Sequence, residues 1–494
     1  MSGLSPKVPT RPHWGQRTKR AWGLIHARRY HSRSTLLSAA DEAARRTVSD
    51  ANRFTHALAT LQSIAADVLK HAAAQGATSA EVDLSEGFGQ AVTVRHGEVE
   101  TIEYNRDKGV GVTVYVGHQR GHASSSDLSA RALEDTVRAA LSIARYTAAD
   151  DCAGLADEDL LARDVPDLDL YHPWDVSVER AIDIARGCEA AALAVDPRIS
   201  NSEGASVHTQ ESQFVYANSL GFNAGYPGSR HSISCSVIAG KGDDMQRDDW
   251  YTIARVPGAL DDARAVGQKA GRRCVARLGS RKIATTQVPV LFEAPIAASL
   301  LGHFAGAASG GSLYRKSSFL LDMLGEPVFA PQVVIRDLAH VPRGLASSPF
   351  DDEGVATRDR NVVTAGVLEG YFLGSYSARK LKLKSTGNAG GSHNLVLEST
   401  GEDFEALLRK LGTGLLVTDL LGHGINMVTG DYSRGAAGFW VENGAIAHPV
   451  QEITVAGNLK DMFKDIVAVG TDVVARGARQ CGSILIGRMT VAGE

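Results

Sequence analysis

The segment SLLGHFAGAASGGSLYRKSSF, from Ser299 to Phe319, is the part of the chain around which the rest is organised. It begins in an apolar run, meets the lone His303, passes through small residues to Gly310 and Gly311, and ends in a polar, basic stretch. Small residues let another backbone approach closely, and glycines adopt turns that other residues resist. Residue types alone leave two interpretations open: a place where an extended ligand is laid down, or a helix-packing seam followed by an ordinary loop.

The composition is that of a soluble globular protein. The chain has 494 residues, of which 44% are hydrophobic and 22% charged, enough for roughly two to four domains. A net charge of −4 offers no general case for nucleic-acid binding, and no apolar run approaches the roughly 20 residues that cross a bilayer. The five cysteines are scattered and form no CxxC pair, which indicates neither a disulfide framework nor a cysteine-rich zinc site. We therefore predict a cytoplasmic protein without nucleic-acid or membrane partners.

The first 50 residues differ in composition from the rest of the chain. They are rich in arginine and serine and contain no acidic residue before Asp41. Such a composition resembles an organelle transit peptide or a basic arm for an acidic partner, but a disordered extension is the simpler interpretation. We predict a basic, disordered extension over residues 1–50 and leave it out of the fold.

Two segments in a row show the order helix, strands, helix. In residues 51–150, helical periodicity flanks alternating strand-like stretches, with turns predicted at Gly87–Gly89, His96–Gly97 and Asp107–Gly109. The same order recurs over residues 151–284, without a convincing residue-level repeat. Each segment is predicted to be an α+β unit, with one face of an antiparallel sheet covered by helices.

The region from residue 285 to residue 494 is predicted to be mainly β. Many strand-like stretches are separated by glycine turns, and Asn443–Gly444 between alternating apolar runs is a strong hairpin signal. Short helices are predicted at Asp403–Leu411 and Leu459–Val467. Many strands with few long helices favour a closed or strongly bent sheet. The predicted fold class is thus α+β, with an N-terminal helix-plus-antiparallel-sheet region and a mainly β C-terminal domain.

Few residues form the pattern of a known catalytic site. Each histidine of the C-terminal region stands alone, and neither HExxH nor HxH occurs. The run Asp351, Asp352, Glu353 could bind a metal ion or a cationic group, although such runs are more often solvated turns. The glycine-rich loop from Thr386 to Ser392 lacks the ending of a phosphate-binding loop. Its N–H groups could bind a carboxylate or a peptide main chain, or the loop could be a flexible surface feature.

Several stretches together resemble the TldD/PmbA family of zinc metallopeptidases, also called modulators of DNA gyrase, and most closely its PmbA (TldE) branch. They are SLLGHFAGAASGGSLYRKSSFLLDMLG, DDEGVATR, YSARKLKLKSTGNAGG, GINMVTGDYSRGAAGFWVENGAIAHPVQEITVAGNLKDM and CGSILIGRMTVAG, which follow one another through most of the last 200 or so residues. The resemblance implies an N-terminal α+β part, a β-rich C-terminal part and cytosolic proteolysis of peptides by a dimer. In that dimer, the active subunit binds zinc through a helix with HExxxH and through a distant cysteine.

The zinc motif of the family is absent from the corresponding helix of this chain. Laying HExxxH over this sequence places Gly302 and Ala307 at the ligand positions and His303 at the position of the catalytic acid/base. Glycine and alanine cannot bind zinc, and Cys481 is predicted to lie in the final strand, later than the expected ligand. Since a catalytic zinc needs three protein ligands, we predict no metal in this chain and zinc in a TldD-type partner.

Three functional hypotheses follow. In the first, the chain is the zinc-less subunit of a two-subunit metallopeptidase; it binds a TldD-type chain, or a second copy of itself, and holds an unfolded peptide by β-strand addition. In the second, it is itself a peptidase that uses His303 with Asp351, Asp352 or Glu353. In the third, it is a regulatory binding protein without enzymatic activity. The residues predicted to contact a peptide are Gly310, Gly311, Ser312, Tyr314, Arg315, Asn388 and Gly390.

Overall fold

The computed structural model describes residues 53–493, so the predicted basic extension lies outside the described part of the chain. The N-terminal part is one six-stranded antiparallel sheet with the strand order β3-β2-β1-β4-β5-β6 and four flanking helices among its described residues. Its elements are α1 (Leu58–Ala74), β1 (Ser79–Arg95), β2 (Glu98–Val116), β3 (Gln119–Ser125), α2 (Ala130–Tyr146), α3 (Val178–Leu193), β4 (Ile199–Asn218), β5 (Asn223–Ala239), β6 (Gln246–Ala254) and α4 (Ala263–Ala276).

The two predicted α+β units share this sheet, because β4 pairs with β1 as well as with β5. Helices α1 and α2 pack on one half of the sheet around Leu61, Val82 and Val112. Helices α3 and α4 pack on the other half around Val207 and Cys235. The boundary predicted at residue 150 therefore falls between two halves of one sheet, and as a domain boundary it stays a prediction.

Two predicted turns in the N-terminal sheet are wrong. Strands β1 and β2 continue through Gly87–Gly89 and Asp107–Gly109, with Gly87 opposite Asp107 in β2 and opposite Ser212 in β4. Hydrogen bonding to both neighbours holds β1 extended, and its glycines serve close approach instead of turning. A Cβ atom on Gly89 would lie 2.6 Å from Oδ1 of Asn105. The turn predicted at His96–Gly97 is confirmed, with both residues at positive φ.

The C-terminal part contains two sheets, which confirms the prediction of a strand-rich domain. Its elements are β7 (Thr286–Phe292), α5 (Ala294–Ala307), α6 (Gly310–Tyr314), β8 (Ile335–Leu338), β9 (Arg360–Thr364), β10 (Val367–Leu368), α7 (Ser375–Leu381), β11 (Asn394–Leu397), α8 (Phe404–Leu411), β12 (Gly414–Leu421), β13 (Asp431–Glu442), β14 (Ala445–Asn458), α9 (Leu459–Lys464), β15 (Ile466–Val469), β16 (Arg479–Gln480) and β17 (Ile484–Ala492).

One of these sheets is closed, as the many strands and few long helices predicted. It has the order β14-β13-β12-β7-β17-β15. A further pairing of β14 with β17 closes five of these strands into a ring, and β15 pairs with β17 outside it. Asn443 and Gly444 connect β13 to β14 with φ values of 51° and 78°, the left-handed conformation that such a hairpin turn needs. The other sheet has the order β10-β9-β8-β11-β16, so β16 is its terminal strand.

Helix α5 follows β7 directly and packs in a core cluster to which both sheets contribute. On β7, Phe292 belongs to the core cluster that includes α5, whereas Leu291 packs in a smaller cluster with α8, as the alternation of side chains along a strand requires. The N–H of Ala294 donates to Ser483 Oγ over 3.0 Å, which ties the start of α5 to the segment before β17. Among residues 53–493, no helix is both long and apolar enough to cross a membrane.

Candidate functional site

Helix α5 presents an apolar side to the core and has small and polar residues on its other side. Its buried residues recur every three or four positions, so that Phe304 packs edge-on against Phe329 and Phe372. Gly302 and His303 lie on the other side and are only partly buried. The segment that the sequence singled out is therefore a core helix with one accessible side.

Arg479 occupies the space beside Gly302. Its guanidinium lies 3.0 Å, at the closest atom, from the place where a Cβ atom on Gly302 would stand. Arg479 is in the terminal strand β16, which pairs with β11 through Leu395 and contacts α5. A side chain at position 302 would have to displace this guanidinium, so the glycine is what allows the arginine to lie against the helix.

A tyrosine and a second arginine face His303 from the neighbouring sheet. Tyr432 and Arg434 are two residues apart on β13 and so point to the same side of the strand. The Tyr432 ring meets the His303 ring edge-on, with their centroids 6.0 Å apart. We call Gly302, His303, Tyr432, Arg434 and Arg479 the arginine cluster.

Burial and positive charge keep the imidazole of the arginine cluster neutral. Burial, together with the charges of Arg434 and Arg479, lowers the pKa of His303 to about 4. Burial raises the pKa of Tyr432 to about 12, so its hydroxyl stays protonated. No carboxylate is among the groups that shift the pKa of His303. At neutral pH the cluster therefore combines two cations with two neutral polar rings.

The residues of the arginine cluster do not fit a zinc ion. Gly302 has no side chain, and Ala307 is fully buried in the apolar core. The two arginines would repel a divalent cation. Across residues 53–493, no group of three His, Cys, Asp or Glu side chains is arranged to hold a metal. The arrangement is the opposite of a zinc site, which needs three donors and an open water position.

Cys481 was predicted to lie in the final strand. It lies instead between β16 and β17, two residues after Arg479. It is buried, and burial with the nearby charge of Asp472 raises the pKa of its thiol to about 12. A thiol must lose its proton to bind zinc. Its environment therefore opposes a ligand role.

The predicted carboxylate run forms a structural turn. Asp351 is buried, and its carboxylate accepts hydrogen bonds from the N–H groups of Val355 (2.9 Å) and Ala389 (2.9 Å). Burial and the charge of Glu353 raise the pKa of Asp351 to about 7. Glu353 in turn accepts from the N–H of Ser375 at the start of α7 over 2.7 Å. The catalytic role predicted for these residues with His303 finds no supporting contact.

Asn388, predicted to bind substrate, has its side chain fully engaged within the protein. Its Nδ2 donates to Asp337 (2.9 Å) and to the carbonyl of Gly391 (3.0 Å), and its Oδ1 accepts from Arg360 and Thr386. These four hydrogen bonds use both N–H donors and both acceptor lone pairs of the amide side chain. The predicted contact with a peptide would therefore have to use other groups of the loop.

Gly390, also predicted to bind substrate, is exposed and has a φ of 95°. A Cβ atom there would lie 2.4 Å from a carboxylate oxygen of Asp352. The glycine thus allows the loop to pass the carboxylate run, and its peptide contact stays a prediction.

The segment after α5 divides into a packed part and an accessible part. Gly310 is buried, and a Cβ atom there would lie 2.2 Å from Oγ of Ser377 on α7, which makes this position a helix-packing seam. A Cβ atom on Gly311 would approach only the far end of the Arg315 side chain. The packing-seam interpretation therefore holds at Gly310, and a ligand-binding role of Gly311 stays a prediction.

Three further predicted contact residues belong to this accessible part. Ser312 donates its N–H to Ser309 Oγ (3.4 Å) at the start of α6. Tyr314 packs edge-on against Tyr376 of α7, and Arg315 is exposed and lies 5.2 Å from the centre of the Tyr314 ring. The substrate-binding role of these residues stays a prediction.

The structure brings the segment after α5 and the carboxylate run together at α7. Gly310 packs against Ser377 within this helix, and Glu353 bonds to its first residue. Sequence reasoning missed Tyr432, Arg434 and Arg479. The alternation of tyrosine and arginine in DYSRG was a signal for the first two. Nothing in the local sequence places Arg479 beside Gly302.

Comparisons with known proteins agree with this architecture. Three family models match successive parts of the chain: PmbA/TldA metallopeptidase domain 1 over residues 80–144, the central domain over residues 171–278 and the C-terminal domain over residues 285–493. Metalloprotease PmbA of Escherichia coli O157:H7 is 51% identical over 415 residues, which cover 84% of this chain and 92% of that protein.

Solved structures show the same fold. A proposed modulator of DNA gyrase from Bacteroides thetaiotaomicron superposes with a TM-score of 0.83 at 27% identity, over 88% of this chain and 99% of that one. TldE from Thermococcus kodakarensis superposes with a TM-score of 0.77 at 18% identity, over 87% and 100% of the two chains. The latter likeness concerns the fold alone.

Proposed function

This chain belongs to the PmbA/TldD metallopeptidase family, and we propose that it is the zinc-less subunit of a two-subunit peptidase. A TldD-type chain is the partner that supplies the zinc. The observation that carries this proposal is the guanidinium of Arg479 beside Gly302, 3.0 Å from the place of a Cβ atom. A cation stands where the family pattern calls for the first zinc-binding imidazole.

The contribution of this chain is to hold the peptide and the partner. The strand β16 is terminal in its sheet and lies beside α5, so an extended peptide can add to its free side. Backbone hydrogen bonds supply affinity in this mode of recognition with little dependence on sequence. Gly311 and Arg315 offer a second accessible surface after α5. We place the system in the cytosol, in keeping with five cysteines that are all unpaired.

The test is metal analysis and hydrolysis of an unfolded peptide, first with this chain alone and then with a TldD-type chain added. We expect no stoichiometric zinc and no turnover from this chain alone, and about one zinc per pair with turnover when both are present. A pair in which the TldD-type chain has lost the histidines of its HExxxH motif is the control and should be inactive. Stoichiometric zinc and turnover from this chain alone would overturn the proposal.

A further inference from the structure

Two arginines beside α5 have no acidic partner among the residues that the structure describes. Arg479 forms no ion pair or hydrogen bond there, and Arg434 donates to the carbonyl of Leu420 over 3.3 Å and lies beside the hydroxyl of Tyr432. The Nε of Arg434 is buried without a partner. Arg434 is half-buried and Arg479 is exposed, and carboxylates and phosphates are the groups that a guanidinium most often binds. The pair of guanidinium groups therefore points to an anion that comes from outside the chain.

Two other polar groups of the arginine cluster are also unsatisfied. The Tyr432 side chain is 1% exposed, and its hydroxyl lies beside the Arg434 guanidinium without a well-formed hydrogen bond. Nε2 of His303 is likewise buried without a partner. Buried polar groups in native proteins are almost always hydrogen-bonded, and each exception calls for an explanation. Three such groups lie close together on α5 and β13, and a ligand that enters between these elements is their common explanation.

The chemistry of these groups restricts the ligand. A guanidinium has only donors, a protonated tyrosine hydroxyl donates one hydrogen bond, and a neutral imidazole donates one. Together they complement a negatively charged acceptor. A carboxylate fits because arginine can bind both of its oxygens through two parallel hydrogen bonds. A cation is excluded by the two positive charges.

We propose that the arginine cluster binds a carboxylate group, at the position on α5 that corresponds to the zinc site of the family pattern. The carboxylate is the C-terminus of a peptide. The choice of a peptide rests on the proposed function, whereas the anion site itself does not. The site would thus anchor one end of a peptide that lies along β16.

The first experiment compares two forms of one labelled, unfolded peptide without acidic residues, ending in a free carboxylate or in an amide. With the purified full chain, we expect the free acid to bind at least about tenfold more tightly than the amide. Arg479→Gln and Arg434→Gln should each remove this difference between the free acid and the amide. Arg138→Gln, at an exposed arginine of α2, is the matched control. Equal affinity of acid and amide for the wild-type chain would overturn the carboxylate site while leaving peptide binding intact.

The second experiment makes the anion site testable without a peptide. In the chain labelled with 13C-histidine, the His303 signal, assigned with His303→Gln, is followed during addition of acetate or inorganic phosphate, with chloride keeping the ionic strength constant. Acetate should shift this signal in the wild type and not in Arg479→Gln. If this occurs while neither peptide binds, the carboxylate site stands and the proposed peptide-holding function fails. No effect of acetate, or an effect of phosphate alone, would overturn the proposal.

Discussion

The neutral state of His303 makes a quantitative prediction about pH. Its pKa is about 4 in the folded protein and about 6.5 in an unfolded chain. Between these values the unfolded state binds the proton and the folded state does not, so acidification destabilises the fold. The contribution of neutral His303 to the free energy of unfolding is fully present above pH 6.5 and is lost as the pH falls towards 4. Between pH 7.5 and pH 5.0, the free energy of unfolding should fall by about 2 kcal/mol through His303 alone.

The assay is urea unfolding of the wild type and of His303→Gln at both pH values, followed through the cooperative transition that includes the C-terminal domain. Because glutamine does not titrate, the variant should lose about 2 kcal/mol less than the wild type over this interval. His118→Gln, at an exposed histidine between β2 and β3, should lose as much as the wild type. The same pH dependence in the wild type and in His303→Gln would refute the reasoning, since His303 would then be as free to protonate in the folded protein as in the unfolded chain.

Four substitutions test other parts of the C-terminal domain. Gly310→Val should abolish soluble folding or lower the melting temperature strongly, because a Cβ atom there would lie 2.2 Å from Ser377; Gly311→Val should melt like the wild type yet weaken peptide binding, and unchanged binding would exclude this surface. Phe350→Ala should cost about 3–5 kcal/mol of unfolding free energy, since the ring is 1% exposed and packs between the N-terminal sheet and the C-terminal domain; a loss below 1 kcal/mol would contradict that packing. Asp351→Asn should cost about 1–3 kcal/mol in the same urea assay, because its amide would face a backbone N–H that now donates to the carboxylate; an unchanged midpoint would contradict this bonding.

An arginine in the place of a zinc ligand changes what the helix α5 can do. A catalytic zinc polarises a carbonyl and activates a water molecule, and neither process is available to Gly302 or Ala307. The charge at this position remains positive, however, because Arg434 and Arg479 converge on the helix. This side of α5 therefore attracts negatively charged groups without the chemistry of a metal ion.

Local patterns in the sequence determined several elements and the missing zinc ligands. Helical periodicity indicated α1, and the pair Asn443–Gly444 indicated the β13–β14 hairpin. Both depend on residues that are neighbours in the chain, so the sequence alone suffices to predict them. The absence of imidazoles at positions 302 and 307 was equally visible. Local patterns also misled: the glycines inside β1 were predicted to form a turn. The strands β2 and β4, whose pairing keeps these glycines extended, lie far away in sequence.

The tertiary structure alone decided what replaces the zinc. Arg434 and Arg479 follow Gly302 by well over 100 residues and belong to two different sheets. Only the pairing of β16 with β11 and of β13 with β12 brings them to α5. Likewise, only the packing shows that Ser377 occupies the space beside Gly310, whereas the space beside Gly311 stays accessible. Such contacts depend on the closure of long loops and on the register of sheets, and no local periodicity encodes either of them.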